Sequence, residues 1–148
     1  MVLEKGASAL FFCQVMQADK TLYGDDFEVL LYQKLLEHGL TPCPPLGQTC
    51  PFDLLSVSRY TGKVNKIQMK TVSKPYQNDL YRVRVTKGCR RKDTYNRANV
   101  DFFVVLIVPY MKWLVLRHTE DLKKSLCVCG STSLKTHPAR NAWNLLHS

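Results

Sequence analysis

Phe27, Leu30, Leu31 and Leu35 recur at helical spacing, with Lys34 at the margin of the stripe. They predict an amphipathic helix within "TLYGDDFEVLLYQKLLEHG". Gly39 is a natural stop for it, and Asp25 followed by Glu28 fits a capping box at its start. "LTPCPPLGQTC" is too rich in proline for a regular element and reads as a loop. The period then changes. "FDLLSVS" and "KVNKIQMKTV" predict short strands joined around "RYTG", where Gly62 supports a tight connection. In "NDLYRVRVTKG", Tyr81, Val83 and Val85 alternate with Leu80, Arg82 and Arg84, as in a half-exposed strand. "CRRKDTYNRAN" is a polar, basic loop. "VDFFVVLIVP" is a continuous β-branched and aromatic run, expected as a buried central strand. Pro109 ends it, and "KWLVLRH" returns as its hairpin partner. "TEDLKKSL" predicts one or two helical turns with Thr119 as N-cap. "PARNAWNLLH" predicts a last short helix, with Pro138 in its first turn. The sum is one α+β domain, a helix in front of a mixed sheet.

The alternation leaves polar groups where a strand that only packs would carry valine or isoleucine. In a hairpin centred on "RYTG", Asp53 faces Gln68 if Tyr60 and Thr61 make the turn, and Lys70 if Thr61 and Gly62 do. Either register keeps Asp53, Gln68 and Lys70 on one face, because strand side chains alternate with period two. Ile67 and Met69 then point into the core. A carboxylate, an amide oxygen and a nearby backbone carbonyl are hard ligands suited to Mg²⁺. Lys70, one pleat along, can orient a water or offset phosphate charge, and Glu28 on the preceding helix can add a second carboxylate. The plainer alternatives are an Asp53–Lys70 salt bridge on an exposed face with Gln68 solvated, and a purely capping Glu28.

Charge sharpens this picture. The 148 residues suit one domain, and 21 basic against 12 acidic residues give a formal charge of +9. That excess points to a polyanionic partner, nucleic acid before a membrane surface. Arg82, Arg84, Lys87, Arg90, Arg91, Lys92 and Arg97 follow one another with Asp93 as the only acid among them. Arg82 and Arg84 share a strand face, and a β-ribbon of this kind fits the major groove; the others would reach phosphates. Tyr76, Gln77 and Asn78 add groups for bases or backbone.

Six scattered cysteines read as reduced thiols in a cytosolic protein. Cys127 and Cys129 form a C-x-C with His137 nearby, short of the four ligands of a structural zinc site. No apolar run approaches the roughly 20 residues of a membrane helix. "ASALFFCQV" is interrupted by Gln14 and lacks a clear cleavage site, so it reads as a disposable or loosely docked segment rather than a signal peptide. Met16 offers an alternative start, which N-terminal peptide sequencing tests. A cytoplasmic (bacterial) or organellar location is expected, without secretion.

The helix carrying "GDDFE", the proline-rich loop with "PLG", then "PFDLL", "KIQMKT" and the later "VDFF" strand, in this order, resemble the PD-(D/E)XK nuclease superfamily. Within it, the branch of homing endonucleases encoded in group I introns is the most similar. The resemblance covers roughly Tyr23 to Arg117, giving an N-terminal segment over 1–22, a nuclease core over 23–118 and a C-terminal helical tail over 119–148, either part of the core or an oligomer contact. It implies an α/β, restriction-endonuclease-like core with a mixed central sheet flanked by helices. It also implies Mg²⁺-dependent hydrolysis of double-stranded DNA, leaving 5′-phosphate and 3′-hydroxyl ends.

By the same resemblance Asp53 binds the metal, Met69 lends its backbone carbonyl, Lys70 positions the attacking water and Glu28 completes the metal shell. Gln68 stands where the superfamily usually has a second acid, a substitution also found in the homing branch; fewer negative charges should bind Mg²⁺ more weakly. Pro51 matches the family proline, although Phe52 intervenes before Asp53. One active site cuts one strand, so cutting a duplex calls for a homodimer or a homotetramer. A structure-specific nuclease like a Holliday junction resolvase, and a DNA-binding module without catalysis, are the alternative readings.

Overall fold

The structure is a computed structural model that describes residues 24–47, 49–87, 93–122 and 124–148, the side chains of Asp25 and Ser133 excepted. Helix α1 spans Gly24–Glu37. Phe27, Leu31 and Leu35, one turn apart, are its buried side. Asp25 is already helical, so it does not stand at the N-cap as the capping-box reading expects. The end falls where expected: Gly39 takes φ +73° and donates to Leu36 O at 3.2 Å, the left-handed cap that glycine reaches without a Cβ penalty. A Cβ there would also lie 2.5 Å from the Tyr60 ring. Gly39→Ala should therefore lower stability by about 1–2 kcal/mol in urea unfolding. A change below about 0.3 kcal/mol would show that the backbone relaxes freely there.

Five strands make the main sheet: β1 (Leu40–Cys43), β2 (Leu54–Ser58), β3 (Val64–Val72), β7 (Phe102–Ile107) and, at the far edge, β8 (Lys112–Arg117). Their order is β1-β2-β3-β7-β8, with β3 and β7 parallel and the other pairs antiparallel. The mixed α+β architecture is the expected one. β1 corrects the proline-rich loop: "LTPC" pairs with β2 through Thr41↔Val57 and Pro42↔Ser56. An edge strand tolerates Pro42 because only one side of it is bonded.

β7 is buried along its whole length and serves two cores. Phe102, Val104 and Leu106 meet α1, Leu54, Ile67 and Met69, while Phe103, Val105 and Ile107 face a second layer. That layer is a ribbon of β4 (Leu80–Arg84) and β9 (Ser125–Cys129), with Tyr81, Val83 and Val128 buried beneath it. β5 (Thr86–Lys87) and β6 (Asp93–Thr94) form a small hairpin alongside.

Two predicted helices change character. Thr119 begins a turn, closed by Leu122 N to Thr119 O at 3.2 Å, and the described residues of "TEDLKKSL" form no helix; Ser125 onward is strand β9. Apolar Leu126 and Val128 are better placed over the second core than along a helix face. A short helix α2 (Ser133–Thr136) was not expected. In the tail only Trp143–His147 is helical, as a 3-10 turn. Residues 139–141 instead lie along the open edge of β8, with Val115 N donating to Ala139 O and Asn141 N donating to Trp113 O. Trp143 and Leu146 are buried in the α1-side core, and His147 Nδ1 lies 2.6 Å from Ser58 Oγ. The N-terminal apolar stretch lies outside the described residues.

Candidate active site

The site arises from unequal strand lengths. β2 ends its pairing with β3 at Leu54↔Ile67, yet β3 runs on to Val72. Gln68 to Val72 thus keep β7 on one side and have no β2 on the other. Asp53 stands at this fork: its N–H donates to Ile67 O at 3.0 Å just before β2 begins. Its Oδ2 accepts Gln68 Nε2 at 2.5 Å and Met69 N at 2.7 Å. Asp53 therefore faces Gln68, the register that places Tyr60 and Thr61 at the centre of the turn.

Lys70 projects from the same face of β3 but does not pair with Asp53. Its ammonium donates to the Tyr95 hydroxyl at 2.8 Å and lies 4.9 Å from the centre of the Tyr95 ring. The salt-bridge alternative thus fails: among the described residues the ion pairs are Lys34–Glu37 and Arg97–Glu120. Ile67 and Met69 turn into the α1-side core, as expected.

The oxygens at the fork fit a hard cation. A strand residue directs its N–H and C=O to the same side. Since Met69 N–H points at Asp53, the Met69 carbonyl lies on that side as well, where β2 has already left the sheet. Asp53 Oδ1 and Gln68 Oε1 take no hydrogen bond among the described residues. No group of three His, Cys, Asp or Glu side chains forms among the described residues. A metal here would thus rest on one carboxylate, one amide and one carbonyl, with waters completing its shell. The C-x-C and His137 likewise make no such group.

Glu28 is less closely joined to the fork. It is half-buried on α1, against the Ile67–Met69 face of the sheet, and its Oε2 lies 3.5 Å from the Tyr32 hydroxyl one turn along. The contacts at the fork thus join Asp53, Gln68 and Met69, while Glu28 belongs to α1, which packs on the opposite face of the sheet.

Past Lys70 the surface is basic. An open cleft is lined by Lys70, Lys74, Arg82 and Arg84, and Lys124 stands beside Arg82 and Arg84 next to it. Arg82 lies flat over Tyr76, 3.5 Å from the ring centre. Its proton is held more tightly than usual, first by the Cys127 thiol and then by Tyr76. Arg84 on the same strand is exposed, and so is Lys87 on β5. Arg90, Arg91 and Lys92 lie outside the described residues. Arg97 pairs with Glu120 at the surface, a contact weak enough to exchange for a phosphate.

The ribbon under the cleft is tied down at Asp79. Its carboxylate accepts the Tyr110 hydroxyl at 2.5 Å and Ser131 N at 2.6 Å. These bonds hold Asp79 below the usual carboxylate range, Tyr110 first, and in return Tyr110 is pushed up to about 12. Cys129 sits in the same knot, 3.7 Å from Asp79 Oδ2.

Lys74, Lys124 and Tyr95 escaped the sequence reading. The two lysines carried no signal beyond charge. For Tyr95 a clue existed: it is the one aromatic residue within "CRRKDTYNRAN".

An acid and an amide crossed over a strand fork, with a lysine one pleat further and a basic cleft beyond, define a nuclease-like α+β fold. The profile of the PD-(D/E)XK endonuclease family matches residues 18–141. The chain belongs to that family, whose substrate class is DNA. Among solved structures, the bacterial homing endonuclease I-Ssp6803I has a similar fold: TM-score 0.68 at 21% identity, covering 84% of this chain and 90% of that one. No curated protein matches the chain.

Proposed function

We propose that this protein is a Mg²⁺-dependent, site-specific endonuclease of double-stranded DNA that acts in homing. The observation carrying the proposal is the contact of Asp53 with Gln68 and Met69 N at the fork, with Lys70 and the basic cleft immediately beyond. The similarity to a bacterial homing endonuclease supports the homing role. Asp53, Gln68 Oε1 and the Met69 carbonyl would hold Mg²⁺, with Glu28 entering its outer shell. The ion would supply Lewis acidity to the scissile phosphate and charge compensation as the bond breaks. Lys70 holds and orients the attacking water and shares the phosphate charge. Arg82, Arg84, Lys87, Arg90, Arg91, Lys92 and Arg97, joined by Lys74 and Lys124, carry the duplex backbone. The two strands of the duplex are cut by two copies of the chain, as a homodimer or within a homotetramer.

The test is cleavage of a randomised plasmid library beside an immobile four-way junction. One preferred duplex site cut with Mg²⁺ and protected by chelator is the expected result. Preference for the junction would favour the resolvase reading, and binding without cutting a non-catalytic module. Lys70→Ala should slow cleavage about a hundredfold and leave duplex affinity within about threefold, because a single phosphate contact is lost at most. Gel-shift and single-turnover measurements on the same preparation check both arms.

A further inference from the structure

The described structure gives Lys70 one firm partner, and it is a residue outside the family motif. Tyr95 follows β6 and is fixed from several sides. Its ring packs edge-on against buried Phe103, with centroids 5.3 Å apart. The next residue, Asn96, opens a turn in which its carbonyl accepts Asn99 N at 2.9 Å and Val100 N at 3.2 Å. Lys66, on the same face of β3 as Gln68 and Lys70, fastens that turn by donating to Ala98 O at 2.7 Å. The phenol is therefore delivered to Lys70 by a braced loop rather than by a loose side chain. Lys87 stands 5.9 Å over the same ring, so the ring is flanked by the Lys70 and Lys87 ammoniums.

An ammonium has three N–H donors on a flexible four-carbon stem. Left alone, it samples many directions. With one N–H fixed on an oxygen, the other two point into a narrow range.

We propose that Tyr95 is a positioning residue for Lys70: its hydroxyl oxygen takes one ammonium N–H and thereby aims the remaining two at the scissile phosphate and the attacking water. The ring, held by Phe103, keeps the Lys70 and Lys87 cations on one side of the cleft, so a phosphate drawn to Lys87 arrives within reach of Lys70. This inference rests on the nuclease reading and adds to it a residue that works through Lys70 without touching the reacting atoms.

Tyr95→Phe is the informative variant, because it removes the oxygen and keeps the ring, its edge contact and the cation above it. The purified full chain is compared with wild type in two ways. In single-turnover cleavage at saturating DNA, the variant should be about tenfold slower, with the half-saturating DNA concentration within about twofold. In metal-free protein without DNA, acylation of Lys70 relative to exposed Lys63, read by peptide mass spectrometry, should rise roughly fivefold as the hydrogen bond disappears. A merely structural role would move thermal unfolding and leave the Lys70-to-Lys63 ratio alone. Cleavage within twofold of wild type, or an unchanged ratio, overturns the proposal. If wild type cuts no DNA, the nuclease reading falls by itself, and the ratio still decides whether Tyr95 holds Lys70.

Discussion

Asp53→Asn is expected to slow duplex cleavage roughly a thousandfold while the protein stays folded and binds the same duplex as well as wild type or slightly better. The asymmetry follows from the contacts. Both bonds at the fork end on Oδ2, so an asparagine with its carbonyl oxygen in that place still accepts Gln68 Nε2 and Met69 N–H. The amide group replaces Oδ1, which takes no hydrogen bond among the described residues. The negative charge does not survive. It is the one full charge among the oxygens at the fork, so its removal takes most of the cation affinity with it. Removing an anion beside a polyanion also relieves repulsion, which is why binding should hold or tighten. Cleavage within about tenfold of wild type, in an unfolding-checked variant, would show that the chemistry sits elsewhere in the cleft.

The part of this site that was legible in the sequence is the part set by strand periodicity. Period two puts Asp53, Gln68 and Lys70 on one face and Ile67 and Met69 on the other whatever the turn does. The turn itself was not legible. Both candidate registers had acceptable residues, and the choice was made by Ser58, whose hydroxyl accepts Tyr60 N and Thr61 N while its carbonyl accepts Gly62 N. A serine folding the loop onto itself in this way leaves only a polar residue in the sequence. The free end of β3 was equally hidden, since strand pairing depends on where β2 departs and not on the composition of β3.

The misread elements share one cause: the tertiary setting outweighed local preference. "LTPC" pairs because β2 offers an open edge to a chain that already leaves α1 at Gly39. "SLCVC" pairs because β4 lies over an apolar face that β9 must close. Tyr95 lies in a basic stretch separated from Lys70 by 25 positions. Only the parallel pairing of β3 with β7, and the turn that precedes β7, bring the two together.

Gln68 decides how the fork behaves without metal, and reversing it should have a large, conditional effect. In the wild type its neutral amide donates to the Asp53 carboxylate at 2.5 Å, a charge-assisted bond that holds the site together. Gln68→Glu replaces that donor with a second carboxylate in contact with the first. Two carboxylates so close cannot both ionise without a cation between them. Metal-free Gln68→Glu should therefore lose about 2–3 kcal/mol at neutral pH, the worth of roughly two units of forced protonation at a half-exposed site. The sign fixes the pH window. The pair holds its proton more tightly when folded, so stability is intact in acid and declines as pH rises through the carboxylate range. Mg²⁺ reverses the loss, because the added charge strengthens the cation site and binding to the folded state alone raises its stability, by about 2.7 kcal/mol at a hundredfold excess over the dissociation constant. Urea unfolding at neutral and acidic pH, with and without Mg²⁺, separates these contributions. Equal stability of Gln68→Glu and wild type in chelator at neutral pH would mean that residue 68 does not face Asp53, and the cation site drawn from that contact would fall with it.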